Sequence, residues 1–175
     1  MKKFELTAEF VTNVFGKKLF RIKALVAFGN VEKGELGGFI EKEDNLSHDG
    51  DAWVSGDAWV YGDAQVFGNA QVLGNARVSG DAWVSGDARV SGNAWVSGNA
   101  DYAAVAGFGR YSRTTTFFRC KDKILRVQCG CFYGDLAQFR EIVKKTHGDS
   151  KYAKEYLAIA DLMELHFSDE CGGEQ

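Results

Sequence analysis

Proline is absent from all 175 residues of this chain, whereas glycine occurs 21 times. The turns must therefore be made by glycine, which accepts positive φ angles, and by aspartate or asparagine, which hydrogen-bond the local backbone. No segment approaches the roughly 20 apolar residues of a membrane-spanning helix. The N-terminal MKKFELTAEF also lacks the apolar stretch of a signal peptide. We therefore expect a soluble, cytoplasmic protein.

Cysteine and basic charge are also sparse. Cys120, Cys129, Cys131 and Cys171 all lie in the C-terminal third, without the even spread of a secreted disulfide scaffold. We therefore expect reduced thiols. The formal net charge is −3, so no broad basic field is present to attract duplex nucleic acid. Neither duplex nucleic acid nor a membrane is expected as a partner.

One six-residue unit, Gly-Asp/Asn-Ala-x-Val-x, is repeated eight times between Gly50 and Ala100 without insertion or deletion. Because side chains alternate along a strand, the constant Ala and Val point to one side and the variable x points to the other. Each Gly followed by Asp or Asn is suited to a corner. The pattern predicts a parallel β-helix with an interior of alanine and valine.

Three such units make one coil of 18 residues, so that residues 18 apart in the sequence stack about 4.8 Å apart. We call the three outward faces of the coil face one, face two and face three. They are predicted to carry Trp53, Gln71 and Arg89 on face one, Trp59, Arg77 and Trp95 on face two, and Gln65, Trp83 and Asp101 on face three.

The segments on either side of the repeat have the patterns of caps. FELTAEF and KKLFRIKAL alternate like two paired strands, and SRTTTFFRC and ILRVQCGCF flank a KDK turn like a hairpin. A helix with Asp135 as its N-cap and Gly148 at its end follows, and then a second helix. The predicted units are an N-terminal β cap at 1–36, a β-helix at 37–109, a ββαα domain at 110–168 and a flexible tail at 169–175.

The repeat resembles the left-handed β-helix hexapeptide-repeat family, since Val54, Ala58 and Trp59 match its order of aliphatic, small and spacer residues. The family's frequent glycine after the aliphatic position is replaced here by Ser, Tyr, Phe or Leu. The segments LGGFIEKEDNLS and CGCFYGDLAQF are similar to those of phage and prophage hexapeptide-repeat proteins. The resemblance implies a mainly β fold, a left-handed coil, a bacterial host cell and, for some members, action against host defence.

Histidine is missing from the eight repeats, because His48 precedes them and His147 and His166 follow. The acyltransferases of the hexapeptide-repeat family use a general-base histidine, and the carbonic anhydrases of this family need three zinc-binding histidines. Ice binding would need regular threonine rows, which these faces lack. We therefore predict a non-enzymatic protein without a cofactor, and acyltransferase activity is kept as an alternative.

A zinc site made of Cys120, Cys129, Cys131 and His147 is a further alternative. However, C-x-C is a poor match to the usual C-x₂₋₄-C zinc knuckle, and a free cysteine packs readily as a small hydrophobic residue. We therefore predict cysteines packed in a core and no bound metal.

The outward residues indicate where binding occurs. Arg77 is expected to stack between Trp59 and Trp95, since a guanidinium group is attracted to indole faces. Indoles also stack on nucleobases, and arginine side chains grip phosphate. The candidate ligand-binding residues are Trp59, Tyr61, Arg77, Arg89, Trp95, Arg110 and Arg113.

Exposed aromatic rows on such coils are usually buried against sister subunits, so we expect a homotrimer. Its candidate interface residues are Trp53, Phe67, Leu73 and Trp83. The leading hypothesis is that the trimer sequesters a small anionic, nucleotide-like signal of host antiviral defence in grooves between subunits. The alternative is a trimeric scaffold that binds and inhibits a host protein through the C-terminal domain.

Overall fold

The computed structural model describes residues 1–168, so the tail predicted at 169–175 lies outside the described residues. Its centre is a β-solenoid of about three turns. Eight two-residue strands recur along it at intervals of six residues. They are β4 (Trp53–Val54), β5 (Trp59–Val60), β6 (Gln65–Val66), β7 (Gln71–Val72), β8 (Arg77–Val78), β9 (Trp83–Val84), β10 (Arg89–Val90) and β11 (Trp95–Val96).

Parallel pairing joins each strand to the strand three further along the chain. The three solenoid sheets contain β4, β7 and β10 on face one, β5, β8 and β11 on face two, and β6 and β9 on face three. In face two, Trp59 pairs with Arg77 and Arg77 pairs with Trp95. The columns predicted for these strands are therefore present.

The interior of the solenoid consists of the alanines and valines of the repeat. The sixteen from Ala52 to Val96 are each at most 1% exposed. Small Ala next to β-branched Val leaves little empty space in a narrow coil, as close packing requires. The corners turn at glycines with positive φ, for example +63° at Gly80 and +64° at Gly86.

An irregular coil precedes the regular ones. Strand β3 (Leu36–Ile40) pairs in parallel with β5 through Phe39 and Trp59, and Leu46 forms a parallel bridge with Val66. These partners lie 20 residues apart, so this coil holds two residues more than the regular coils. Buried Asn45 closes its corner by donating hydrogen bonds from Nδ2 to the carbonyls of Gly62 and Ala64.

The N-terminal cap is an antiparallel hairpin of β1 (Phe4–Thr12) and β2 (Lys18–Ala24). Because β2 also pairs with β3, the hairpin extends the sheet of face two. The segment after the hairpin covers the outside of the first regular coil.

Trp53 is packed inside the chain and not on an open face. Phe28 packs edge-to-face against its indole at 5.4 Å, and Trp53 is only 4% exposed. The expectation that Trp53 contributes to a subunit interface is therefore wrong, because the N-terminal cap already covers it.

The solenoid ends earlier than the sequence predicts. The backbone N–H and the hydroxyl of Ser97 both donate to Asp101 Oδ2, and residues Asn99–Asp101 form a 3₁₀ turn that redirects the chain. Asp101 therefore does not continue face three above Trp83. The following segment, β12 (Tyr102–Phe108), was predicted to belong to the coil but pairs in the C-terminal sheet.

The C-terminal domain is a four-stranded antiparallel sheet with two helices. The strands are β12, β13 (Arg113–Arg119), β14 (Leu125–Cys129) and β15 (Phe132–Asp135), in that order. The helices are α1 (Leu136–His147) and α2 (Lys151–His166). Asp135 accepts a hydrogen bond from Gln138 N as the N-cap of α1, and the helix ends at Gly148.

The two faces of this sheet have different neighbours. Phe117 and Val127 pack with Phe139 and Met163 of the helices, whereas Phe118 joins the core of the solenoid. The sheet therefore closes the C-terminal end of the coil. Among residues 1–168, no helix is long and apolar enough to cross a membrane.

We expect Lys3 to make stability depend on pH. Its ammonium group donates to the carbonyls of Gly50 and Ala52, and burial lowers its pKa from 10.5 to about 8. Between pH 8 and pH 10.5, Lys3 is more protonated in the unfolded chain than in the folded chain. The contribution of Lys3 to the free energy of unfolding therefore increases as pH rises through this range. Relative to Lys3→Met, the native chain should gain up to about 3 kcal/mol over this window.

Urea unfolding at pH 7.5 and pH 10 measures this difference. Lys33→Met, which removes an exposed lysine of the same cap, is the control. Identical changes with pH in the native chain and in Lys3→Met would contradict the assignment.

Two corner glycines form a matched pair. A Cβ added at Gly80 would collide with the Ser97 carbonyl, whereas one at Gly86 would meet nothing within 4 Å. Both alanine variants should lose about 1–2 kcal/mol because φ is positive. Gly80→Ala should lose at least about 1 kcal/mol more through the collision. Chemical unfolding of both variants measures the difference, and equal losses would show that the corner relaxes freely.

Candidate functional site

A groove of about 840 Å³ runs along face two. The solenoid forms its floor, the tip of the N-terminal hairpin forms one end, and the turn between β13 and β14 of the C-terminal sheet forms the other. Its lining residues are Asn13, Val14, Phe15, Trp59, Tyr61, Arg77, Ser79, Trp95, Val96, Ser97, Asp101, Arg119, Cys120, Lys121 and Lys123. The structure thus brings together four of the predicted ligand-binding residues.

Arg77 is held in a defined position on the floor of the groove. Its Cζ lies 3.9 Å from the centroid of the Trp59 ring, a cation–π contact. Its Nη1 donates to the carbonyls of Asp57 at 2.9 Å and Asn75 at 3.1 Å. Burial lowers the pKa of Arg77, although the group stays charged at neutral pH. The guanidinium group is therefore a fixed, partly desolvated cation.

Lys121 extends this column beyond the solenoid. An antiparallel bridge between Ala94 and Cys120, together with the hydrogen bond from Lys121 N to Asn93 O at 3.1 Å, places it next to the last coil. Its Nζ lies 5.6 Å from the centroid of the Trp95 ring. Along the groove, the order is therefore Trp59, Arg77, Trp95 and Lys121, in which aromatic and cationic side chains alternate.

The wall on the C-terminal side is held by polar contacts. Arg119 Nε lies 3.5 Å from Asp101 Oδ1, and its Nη2 donates to the Phe167 carbonyl at 3.0 Å. Asp101 is the only carboxylate that lines the groove among residues 1–168, and it is engaged by Arg119 and Ser97. The electrostatic character of the groove is therefore positive.

The opposite end of the groove has an exposed apolar tip. Val14 and Phe15 stand out into solvent, and Asn13 Oδ1 accepts the backbone N–H groups of Phe15 and Lys17. Lys17 in turn pairs with Glu41 at 3.1 Å. Partial burial opposes ionisation of Glu41, but hydrogen bonds from Gly62 N and Lys17 outweigh it and lower its pKa. This charged pair anchors the tip.

The other three predicted arginines lie outside the groove. Arg89 and Arg113 line a separate open cleft of about 780 Å³, and Arg110 lies beside it. The guanidinium groups of Arg110 and Arg113 are 5.6 and 5.0 Å from the centroid of the Tyr111 ring. Within one chain these arginines therefore lie apart from Arg77, because Arg89 is on face one and the turn after β12 carries Arg110 and Arg113 away from face two.

The arginines differ in their partners. Among residues 1–168, carboxylates pair with Arg21, Arg119, Arg126 and Arg140. The same part of the chain provides no ion pair for Arg77, Arg89, Arg110 or Arg113. The arginines without a carboxylate partner in this part of the chain thus lie in the groove and at the separate cleft.

A second aromatic surface lies on face three. Phe67 packs edge-to-face on Trp83 at 6.0 Å, and Trp83 is 55% exposed. Leu73, another candidate interface residue, is half-buried at a different corner of the coil. Phe67 and Trp83 thus remain accessible in the single chain, unlike Trp53.

The histidines lie away from the groove. His48 stacks on Phe4 at 4.3 Å, His147 lies beside Tyr156, and His166 packs against Phe167. None of these three positions lines the groove. The general base required by the acyltransferase alternative is therefore not found at this site.

Cys120 and Cys129 lie on opposite faces of the C-terminal sheet, whereas Cys131 is exposed, so the expectation of a core position is wrong for Cys131. Cys120 packs into the solenoid core, where burial raises its pKa, and Cys129 packs on the helical side. Residues 1–168 contain no group of three or more His, Cys, Asp or Glu side chains arranged to hold a metal ion. Cys171 lies outside the described residues.

Comparison with known proteins supports the fold. A family described as YdcK beta solenoid repeat matches residues 70–86 and 82–98. The chain is a β-solenoid repeat protein over this region. No curated protein matches the chain.

Sequence reasoning missed the two ends of the groove. Lys121 and Lys123 were recognised only as a turn of the hairpin, and Val14 and Phe15 only as part of a cap. Their basic and apolar side chains were visible, but the periodicity of the solenoid does not extend to them. The docking of the end units brings these residues to face two.

The positive charge around Trp95 predicts that an anionic quencher is favoured over a cationic quencher of its fluorescence. In a Trp83→Phe background, the ratio of the iodide to the caesium quenching constant at the exposed indole of Trp95 should exceed the ratio for free N-acetyltryptophanamide, because Arg77 and Lys121 attract anions. Adding Lys121→Gln should lower the iodide quenching constant by about twofold. Stern–Volmer titrations measure both effects. An iodide constant that does not change would show that Lys121 does not lie over Trp95.

Proposed function

We propose that the groove on face two binds a small anionic ligand that carries an aromatic ring, such as a nucleotide. The alternation of Trp59, Arg77, Trp95 and Lys121 is the observation that supports this most directly. The volume of the groove also falls within the range of small-molecule sites, about 300–1,000 Å³. In this function the groove binds the ligand and does not catalyse a reaction.

Two interactions favour such a ligand. A base stacked on an aromatic side chain contributes about 1–3 kcal/mol, and Trp95 is 51% exposed and available for this contact. Arg77 is already ordered by Trp59 and by backbone carbonyls, so less conformational entropy is lost when it contacts an anion. The groove thus combines a stacking surface with a preorganised charge.

The biological version of the proposal is sequestration of a signal. The resemblance to phage-encoded, left-handed hexapeptide-repeat proteins supports a signal of host antiviral defence as the ligand. We also propose a homotrimer, and the exposed Phe67 and Trp83 on face three support this assembly. In that trimer, each subunit contributes a groove on its own face two.

The first experiment identifies the ligand. The protein is purified, denatured by heat, and the released small molecules are analysed by mass spectrometry; a nucleotide panel is then titrated by calorimetry. We expect Trp95→Ala to weaken binding at least about tenfold, through loss of stacking. Trp83→Ala, which removes a tryptophan of similar exposure on face three, should bind as the native chain does.

The Trp83→Ala control also shows on which face the ligand binds. Loss of binding in Trp83→Ala with none in Trp95→Ala would place the ligand on face three and contradict the proposal. No binding of any nucleotide, together with no released ligand, would also contradict it. Light scattering on each variant separates an effect on binding from an effect on assembly.

A protein-binding scaffold is the second candidate function. Leu162 and Leu165 on α2 are 55% and 72% exposed, an arrangement that favours docking of another protein on the C-terminal domain. In this case, Leu162→Ser combined with Leu165→Ser should abolish capture of the partner, whereas Trp95→Ala should leave it unchanged. The opposite result would favour the groove.

A further inference from the structure

We propose that the ligand of the groove carries two separate anionic groups, one on each side of an aromatic ring that stacks on Trp95. In chemical terms, this is a nucleotide whose two phosphates are separated by a nucleoside, as in a dinucleotide. The inference rests on the proposed function and narrows its ligand class.

The first anion position is at Arg77. The guanidinium group leans towards Trp59, and its described hydrogen bonds to Asp57, Asn75 and Ala76 all use Nη1. Its Nε and Nη2 therefore have no hydrogen-bond partner among residues 1–168. These two donors form the planar fork that suits a phosphate.

The second anion position is at Lys121. Its backbone is fixed to the last coil through Asn93, and its Nζ reaches over the ring of Trp95. No carboxylate pairs with this ammonium group within the described part of the chain. The nearby Asp101 is held by Arg119. Lys121 is therefore a second cation available to an anion.

The spacing excludes one phosphate group as the partner of both cations. Arg77 lies one coil from Trp95, and Lys121 lies beyond Trp95, so the two charges are roughly 10 Å apart at about 4.8 Å per coil. The phosphates of a single polyphosphate tail are joined through bridging oxygens and all lie on the same side of the nucleoside. Phosphates on opposite sides of a nucleoside are separated by its sugar, and the base between them can reach Trp95.

The experiment compares ligands that differ in how their phosphates are arranged. Calorimetry is performed with AMP, ATP, 5′-phosphorylated linear diadenylate and cyclic diadenylate. At least one of the two dinucleotides should bind about tenfold or more tightly than AMP and ATP, because only a dinucleotide engages both cations. Comparison of the linear and cyclic forms shows which kind of dinucleotide the groove prefers.

Four substitutions then test the two positions. Arg77→Gln and Lys121→Gln should each weaken binding of the tighter dinucleotide about tenfold, and together they should reduce it to the affinity of AMP. Arg113→Gln makes the same charge change in the separate cleft and should have no effect. Thermal unfolding checks that each variant is folded, and Arg77→Lys, which keeps a cation, should bind more tightly than Arg77→Gln.

The outcomes separate this inference from the proposed function. Equal binding of AMP and both dinucleotides, or tightest binding of ATP, would overturn the two-anion inference and leave nucleotide binding in place. Weakening by Arg113→Gln without weakening by Arg77→Gln or Lys121→Gln would overturn it by placing the ligand in the other cleft. Binding of none of these four ligands or of any other nucleotide in the panel, together with no released ligand, would overturn both.

Discussion

Backbone hydrogen bonds between successive coils are the interaction on which this structure depends. The N–H of Trp59 donates to the carbonyl of Ala76, and that of Arg77 donates to the carbonyl of Ala94. The regular coils keep one register along this ladder because they have the same length, and a single inserted residue would turn the next valine out of the interior. The constant period that meets this constraint also lines up the outward side chains, so Trp59, Arg77 and Trp95 form a column.

A ladder of this kind leaves unpaired backbone and an apolar opening at each end. The N-terminal hairpin closes one end by adding antiparallel strands to the sheet of face two, with Lys3 bonded to the carbonyls of Gly50 and Ala52 at the start of the regular repeat. The C-terminal sheet closes the other end with Phe118. Both units extend past the floor of face two, so the groove arises from the way in which the solenoid is closed. An open end would have left only a flat aromatic column.

The predictions that held and those that were wrong differ in their physical origin. The column on face two was predictable because a fixed period converts distance in sequence into distance in space. Asp101 was misplaced because its side chain bonds Ser97 and ends the period just before the unit that would have placed Asp101 on face three. Trp53 has the outward position expected from strand alternation, but Phe28, from a segment without any repeat, covers it.

The sequence by itself determined the coil, its alanine and valine interior, the order of residues on each face, and the cap residues of helix α1. These features follow from local alternation and local hydrogen bonds. Only the tertiary structure decided that Lys121 continues the column of Trp95 and that Arg113 lies in a different cleft. Both depend on the direction in which the C-terminal sheet crosses the last coil, and that direction is set by contacts such as those of Phe118 between segments distant in sequence.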